Sequence, residues 1–320
     1  MANGTAAQLQ AKYQRPPNAI YRVGPTGSGF FFTSIQSAID QAVADGFTTS
    51  ANPAVVEIAP GAYTESVALK PGVSLSAIQG GTVTVTGNHT YAVSNGLTRA
   101  QNSITMTNVT LTTLNGITLS ISGTAPMQLT INGGTIQKQT GGDANVAYEI
   151  TNTGSGSRVR FNQGASIDMN VTTAAAMSLA RGSTEFRDRN SAVFSSGGVT
   201  ILAAAILTNS AQLRVWACDF WASGSFTNII DIQSATAVVD LFHTYLSNSL
   251  AGGNGILYTA AGTARVRWCF VSMNANVAGY IAKGAAGTFG YSNMAIIGTN
   301  TQVQNTLTVF VDTDTVTPVA

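Results

Sequence analysis

Along most of this chain, apolar residues alternate with polar or small ones for four or five positions and then stop at a turn. One stretch differs. In "GSGFFFTSIQSAIDQAVADG", residues 27–46, the apolar side chains Ile35, Ala38, Ile39, Ala42 and Val43 recur at i, i+3, i+4, i+7 and i+8. That stripe predicts an amphipathic helix over about 33–45. Thr33 is placed to cap its first turn, Gln36 to complete a capping box, and Gly46 to end it in the left-handed conformation.

The alternating stretches repeat. "ITMTN", "LTING", "VRFNQ", "TEFRD", "LRVWA", "VDLFH", "VRWCF" and "FGYSN" share apolar–x–apolar followed by a polar or small residue and a bend. Their second apolar residues are Met106, Ile131, Phe161, Phe186, Val215, Leu241, Trp268 and Tyr291, at intervals of 23 to 30 residues. That spread is too irregular for a propeller blade and fits the coils of a parallel β-helix, whose turns tolerate insertions. A second strand family follows, near Leu119, Tyr148, Leu179, Ile232, Tyr258 and Tyr280, so each coil supplies at least two strands. The helix then has a purpose: a solenoid end exposes apolar side chains and unpaired backbone, and a helix covers both.

Side chains alternate across a strand, so the position before each column residue points outward. Read coil by coil it is Thr105, Thr130, Arg160, Glu185, Arg214, Asp240, Arg267 and Gly290. Arg160, Glu185, Arg214, Asp240 and Arg267 alternate in sign. Either they form a surface ion-pair ladder that resists register slip, each exposed pair adding at most ~1 kcal/mol, or they form a docking stripe for a neighbouring subunit. The position after the column residue holds Trp216 and Phe242 on adjacent coils. If the strand continues through them they are exposed aromatics, marking a protein interface or a sugar-stacking platform; if the chain bends there they enter the core.

Composition narrows the classes. Only 9% of the 320 residues are charged, and the formal net charge is +1. No stripe of Lys or Arg favours nucleic acid. No apolar run approaches the ~20 residues that span a bilayer, and the first residues carry no apolar segment of a secretory signal. The two cysteines, Cys218 and Cys269, make neither a disulfide framework nor a zinc pattern; at offsets +3 and +1, two coils apart, they are expected to be too distant to bridge. No cofactor motif is present.

"TSIQSAIDQA" (33–42), "AVVEIAPGAYTESVAL" (54–69) and "PGVSLSAI" (71–78) together resemble the N-terminal cap of the pectin lyase-like superfamily of right-handed parallel β-helices. The longer stretch "GPTGSGFFFTSIQSAIDQA" resembles the start of a pectinesterase. The resemblance implies a cap helix, a first strand at 55–58, a turn at Pro60 and Gly61, and a second strand at 66–69. The preference of parallel crossovers for the right hand points the same way. The expected fold is therefore all-β: a single-stranded right-handed parallel β-helix over 25–298 with an N-terminal amphipathic cap helix. An extended N-terminal arm (1–24) precedes it, and a C-terminal strand or tail (299–320) leaves it, with Leu307, Val309 and Val311 alternating as if to meet another subunit.

Pectinesterases carry Gln-Asp-Thr-Leu, Asp-Phe-Ile-Phe-Gly and Leu-Gly-Arg-Pro-Trp motifs. Here only "CDFWASG", with Asp219 before Phe220, approaches one of them. Asp188, Asp219 and Asp240 fall at offsets +2, +4 and −1 and do not stack, and His89 and His243 lie coils apart, with His243 read as a turn residue. No catalytic, cofactor or metal residues are expected. Low charge, Ser/Thr/Asn/Gly/Ala richness and absent catalytic motifs resemble β-helical virion proteins of phages and other DNA viruses. That resemblance implies a non-enzymatic capsid- or tail-associated subunit, located in a virion, that contacts other virion subunits and forms a homo-oligomer, a trimer being favoured. The alternatives are a carbohydrate-active enzyme of the pectinesterase or lyase type and a glycan-binding adhesin without catalysis.

Overall fold

The computed structural model describes residues 19–297, apart from 79–80, 140–142, 144, 171–173, 196–198, 220, 251–252, 268, 274–281, 285 and 293–294, together with the strand Thr308–Val311. The chain winds through parallel sheets, coil upon coil. The first sheet holds 12 strands, from Ala19–Val23 through Ser103–Thr107, Arg158–Asn162, Gln212–Trp216 and Val238–Phe242 to Thr308–Val311. After a bend each coil enters a second face, for example Val109–Thr113, Thr135–Lys138 and Tyr245–Asn248, and then a third, for example Leu119–Gly123, Tyr148–Ile150 and Asn254–Tyr258. The long strand Ala222–Ile232 runs through both of these faces and joins them by hydrogen bonds. This is a parallel β-helix, as expected, with a third strand per coil.

The bend out of the first sheet explains part of the sequence. Asn108, Gly133, Gln163, Ala217 and His243 all stand there with φ between 50° and 66°. Turning the chain within a residue or two requires the left-handed region, which Gly and Asn enter at little cost and other residues do not. His243 is thus a turn residue, as read from the sequence.

Inside, the register stacks like on like. Ile104, Leu129, Val159, Thr184, Leu213, Val239, Ala264 and Phe289 form one buried column. Met106, Ile131, Phe161, Phe186, Val215, Leu241, Val266 and Tyr291 form the next. Phe161 and Phe186 stack face to face with centroids 4.5 Å apart, and Trp221 meets Phe186 edge-on at 5.7 Å. The expected columns slipped in one coil. Val266, not Trp268, pairs with Leu241, and Ala264 occupies the place given to Val266. "ARVRW" offers two apolar–x–apolar frames, and the small Ala264 hid the correct one. Trp268 itself lies outside the described residues.

The cap helix spans Ile35–Ala44 and buries Ile35, Ala38, Ile39 and Ala42, with Val43 partly covered. Its N-cap is Ser34 rather than Thr33: the Ser34 hydroxyl accepts from the Ser37 N–H at 3.2 Å. No capping box forms, because the Gln36 amide turns outward to accept from the Ala68 N–H at 2.7 Å and donate to Asp40 at 2.8 Å. Glu65, remote in sequence, closes the helix instead. Its carboxylate accepts from the Ile35 N–H at 2.8 Å, the Gln36 N–H at 3.0 Å and the Ser34 hydroxyl at 2.8 Å. Gly46 ends the helix at φ 92°, as expected.

Three boundaries differ from expectation. Ala19–Val23, read as part of an extended arm, is the first strand of the first sheet and pairs with Ala54–Ile58; residues 1–18 lie outside the described residues. The second strand of the cap is Gly61–Thr64, while of 66–69 only Ala68 makes an isolated bridge, to Thr90. At the other end, Thr308–Val311 does not leave the solenoid. It pairs in register with Thr288–Ser292, setting Val309 beside Phe289 and Val311 beside Tyr291, because the edge of that strand is the nearest template for an extended segment. Leu307 lies outside the described residues.

Candidate functional site

Among the described residues, the outer side of the first sheet carries the densest group of ion pairs. Register places Arg160, Glu185, Arg214, Asp240 and Arg265 side by side on successive coils. Arg265 replaces the expected Arg267, by the same two-residue slip as Val266 for Trp268; Arg267 sits one row over, beside Phe242.

The ladder is not the exposed one that the alternation suggested. The Glu185 side chain is completely buried, while Arg158, Arg160, Arg187 and Arg214 approach it at 3.2, 3.0, 3.1 and 3.9 Å. The arginine stems cover the carboxylate and their guanidinium heads neutralise it, which a buried carboxylate requires. Asp240 takes Arg265 at 2.9 Å and Arg214 at 3.9 Å. The sequence reading missed Arg158 and Arg187, because they occupy neighbouring rows and reach Glu185 diagonally.

Trp216 and Phe242 pair on adjacent coils and both face outward, Trp216 half-buried and Phe242 37% exposed. The Arg187 guanidinium lies 4.5 Å from the centre of the Trp216 ring, a cation–π contact. The His243 ring stacks on Phe242 at 4.4 Å. Arg214, Trp216, Asp240, Phe242, Arg265 and Arg267 surround a surface groove of about 240 Å³. A larger groove, about 460 Å³, lies where the coils enter this sheet.

The remaining candidates are elsewhere. Asp219 is an exposed turn residue whose N–H donates to the Arg189 carbonyl at 2.8 Å. Burial pushes the Cys218 thiol up to about 12, and the charges of Asp188 and Asp219 add to the rise. Cys269 is also buried, its thiol pushed up to about 11 chiefly by burial. Register puts it at +3 from Val266, the same position as Cys218 from Val215, rather than +1; both thiols are free. Neither is a nucleophile near neutral pH. Among the described residues, no three His, Cys, Asp or Glu side chains meet as a metal site.

The burial of two ionisable groups, Lys138 and His89, was not read from the sequence. Lys138 points into the coil with no exposed surface and donates to the Gly116 carbonyl and to Asp143 at 2.6 Å. That hydrogen bond, with another from the Gly116 N–H, holds the Asp143 carboxyl well below the usual range. His89 accepts the Val67 N–H at 3.2 Å through Nδ1, and its Nε2 faces the Val85 carbonyl at 3.2 Å. Burial lowers its pKa to about 4, against the opposing pull of that carbonyl. Among the described residues, no helix is long and apolar enough to cross a membrane.

No protein-family model matches the chain, and no curated protein matches it. Among solved structures, it is similar to a pectin methylesterase from Aspergillus niger in deglycosylated form. The identity is 13% over 94% of this chain and 82% of that one, with a TM-score of 0.30. At that distance the likeness speaks to neither reaction nor substrate. The β-helix rests on the strand register described above.

Proposed function

We propose that this chain is a non-enzymatic structural protein that works through subunit–subunit contacts, of the kind that β-helical proteins provide in virions. The observation that carries the reading is the state of the outer face of the first sheet. Its carboxylates, Glu57, Glu185 and Asp240, are each engaged by at least one arginine, and a carboxylate so paired is a poor general acid or base. Beside them stand two aromatics on a rigid, paired surface, which is what a protein interface uses as anchors. A charge share of 9% leaves little to oppose close packing of neighbours. A homotrimer located in a virion, capsid- or tail-associated, is the form that the sequence resemblance implies.

A second reading is favoured by the groove in front of Trp216 and Phe242. An aromatic pair flanked by Asp240 and Arg265 is also the equipment of a non-catalytic glycan-binding surface. Assays separate these readings from catalysis. Pectin, polygalacturonate and related glycans should be neither de-esterified nor cleaved. Turnover that disappears in Asp219→Asn would overturn the proposal in favour of an enzyme of the pectinesterase or lyase type. Retention on an immobilised glycan, abolished by Trp216→Ala, would favour the binding reading.

A further inference from the structure

The larger groove is built unlike the rest of the surface. It occupies about 460 Å³, within the range of small-ligand sites, at the turns leading into Arg158–Asn162, Ser183–Phe186 and Gln212–Trp216. Arg99, Arg158, Arg181 and Arg214 line it, and its other lining residues are Gly, Ser, Thr, Asn and Gln, with no Asp or Glu. The whole chain holds only 15 Lys and Arg, so four in one groove is a strong local excess.

That excess is not neutralised from below. Glu185 is the carboxylate behind Arg158 and Arg214, but it is shared with Arg160 and Arg187 as well. Arg214 stands at 3.9 Å from both Glu185 and Asp240, beyond hydrogen-bonding reach. The Arg158 Nε lies 3.2 Å from Glu185 without an aligned hydrogen bond, and the Arg214 Nε, shielded from water, has no hydrogen-bond partner. Arg99 spends one N–H on the Gly156 carbonyl at 3.1 Å. Arg181 is exposed and makes no ion pair among the described residues. Arg158 feels the crowding: burial first, then Arg160, Arg99 and Arg187, lower its pKa against the pull of Glu185.

We propose that this groove is a binding site for a ligand presenting two or more oxyanions close together, whether carboxylate, sulfate or phosphate. Guanidinium groups match such oxyanions in fork geometry, and several converging on one space recognise clustered charge. The Ser and Asn side chains and the Gly-rich turn at 152–157 supply neutral polar groups around them. The free molecule and the same groups carried on a glycan share this chemistry. The site adjoins the aromatic row through Arg214, which lines both grooves, while Arg99, Arg158 and Arg181 line this one alone.

The test is isothermal titration of the intact protein at low salt with three probes: pyrophosphate, citrate and a sulfated heparin hexasaccharide. At least one should bind saturably, one per chain, and weaken as salt rises. Arg181→Gln should melt as the parent does, since Arg181 holds no ion pair, and should bind about tenfold or more weakly. Lys70→Gln, a cation elsewhere on the coil stack, should change nothing. Binding of the hexasaccharide alone assigns the oxyanions to a glycan, and binding of pyrophosphate or citrate alone assigns them to a free ligand; both support the site. Saturable binding by none of the three, or equal affinity in Arg181→Gln, overturns it.

Discussion

A carboxylate with no exposed surface persists only where cations replace the water it has lost, and at Glu185 four arginines do so. Removing its charge leaves those arginines facing one another. Glu185→Gln should therefore lower the unfolding free energy by about 3 kcal/mol in urea titration; a change near zero would mean that the arginines are adequately solvated alone. His89 makes a different claim, about pH. Its folded pKa, about 4, is depressed below the ordinary 6.5, so the unfolded chain binds the extra proton between those values. The stability tied to neutral His89 is fully present above pH 6.5 and is lost as pH falls towards 4, by about 3 kcal/mol at most. Thermal melts across that window should show a downward slope with falling pH that is reduced in His89→Gln.

At the level of elements, the bends and the cap carry the testable content. Ala217 holds φ 54° with its side chain in solvent, a conformation that costs an L-residue ~1 kcal/mol or more. Ala217→Gly should raise the melting temperature, and a fall would show that the bend is not strained. Glu65 accepts three hydrogen bonds at the positive end of the cap helix. Glu65→Ala should cost about 2–3 kcal/mol, measured by denaturant unfolding, and should fray the helix first. Why some of this was legible follows from range. The helix stripe, Gly46 and the column from Met106 to Leu241 are local patterns, and they appear in the structure as read. Glu65 lies about 30 residues from the helix it caps, and Lys138 reaches Gly116 in another coil, so no spacing rule could show either. In "ARVRWCF" two frames were equally apolar, and only the pairing of Leu241 with Val266 decides between them. The candidate site was legible in its alternating charges, but not in its burial, because the covering arginines come from adjacent rows.

For the whole molecule, both ends matter. Ala19–Val23 and Thr308–Val311 are edge strands of the 12-stranded sheet, so neither is a free arm, and among the described residues the large apolar side chains left exposed to meet a neighbour are Ile20, Leu114 and Leu202 together with three aromatics. Phe242 is 37% exposed, Phe31 61% and Phe194 37%, on a surface short of charge. On the proposed function, the chain acts by contact with other subunits, through the outer face that bears Trp216 and Phe242. Light scattering on the purified protein at micromolar concentration tests it most directly. The expected mass is a multiple of 33.0 kDa, three-fold for the favoured trimer, with a shift to the single-chain mass in Trp216→Ser/Phe242→Ser without loss of melting temperature. A parent protein that stays at 33.0 kDa, or a double variant that assembles unchanged, would contradict it.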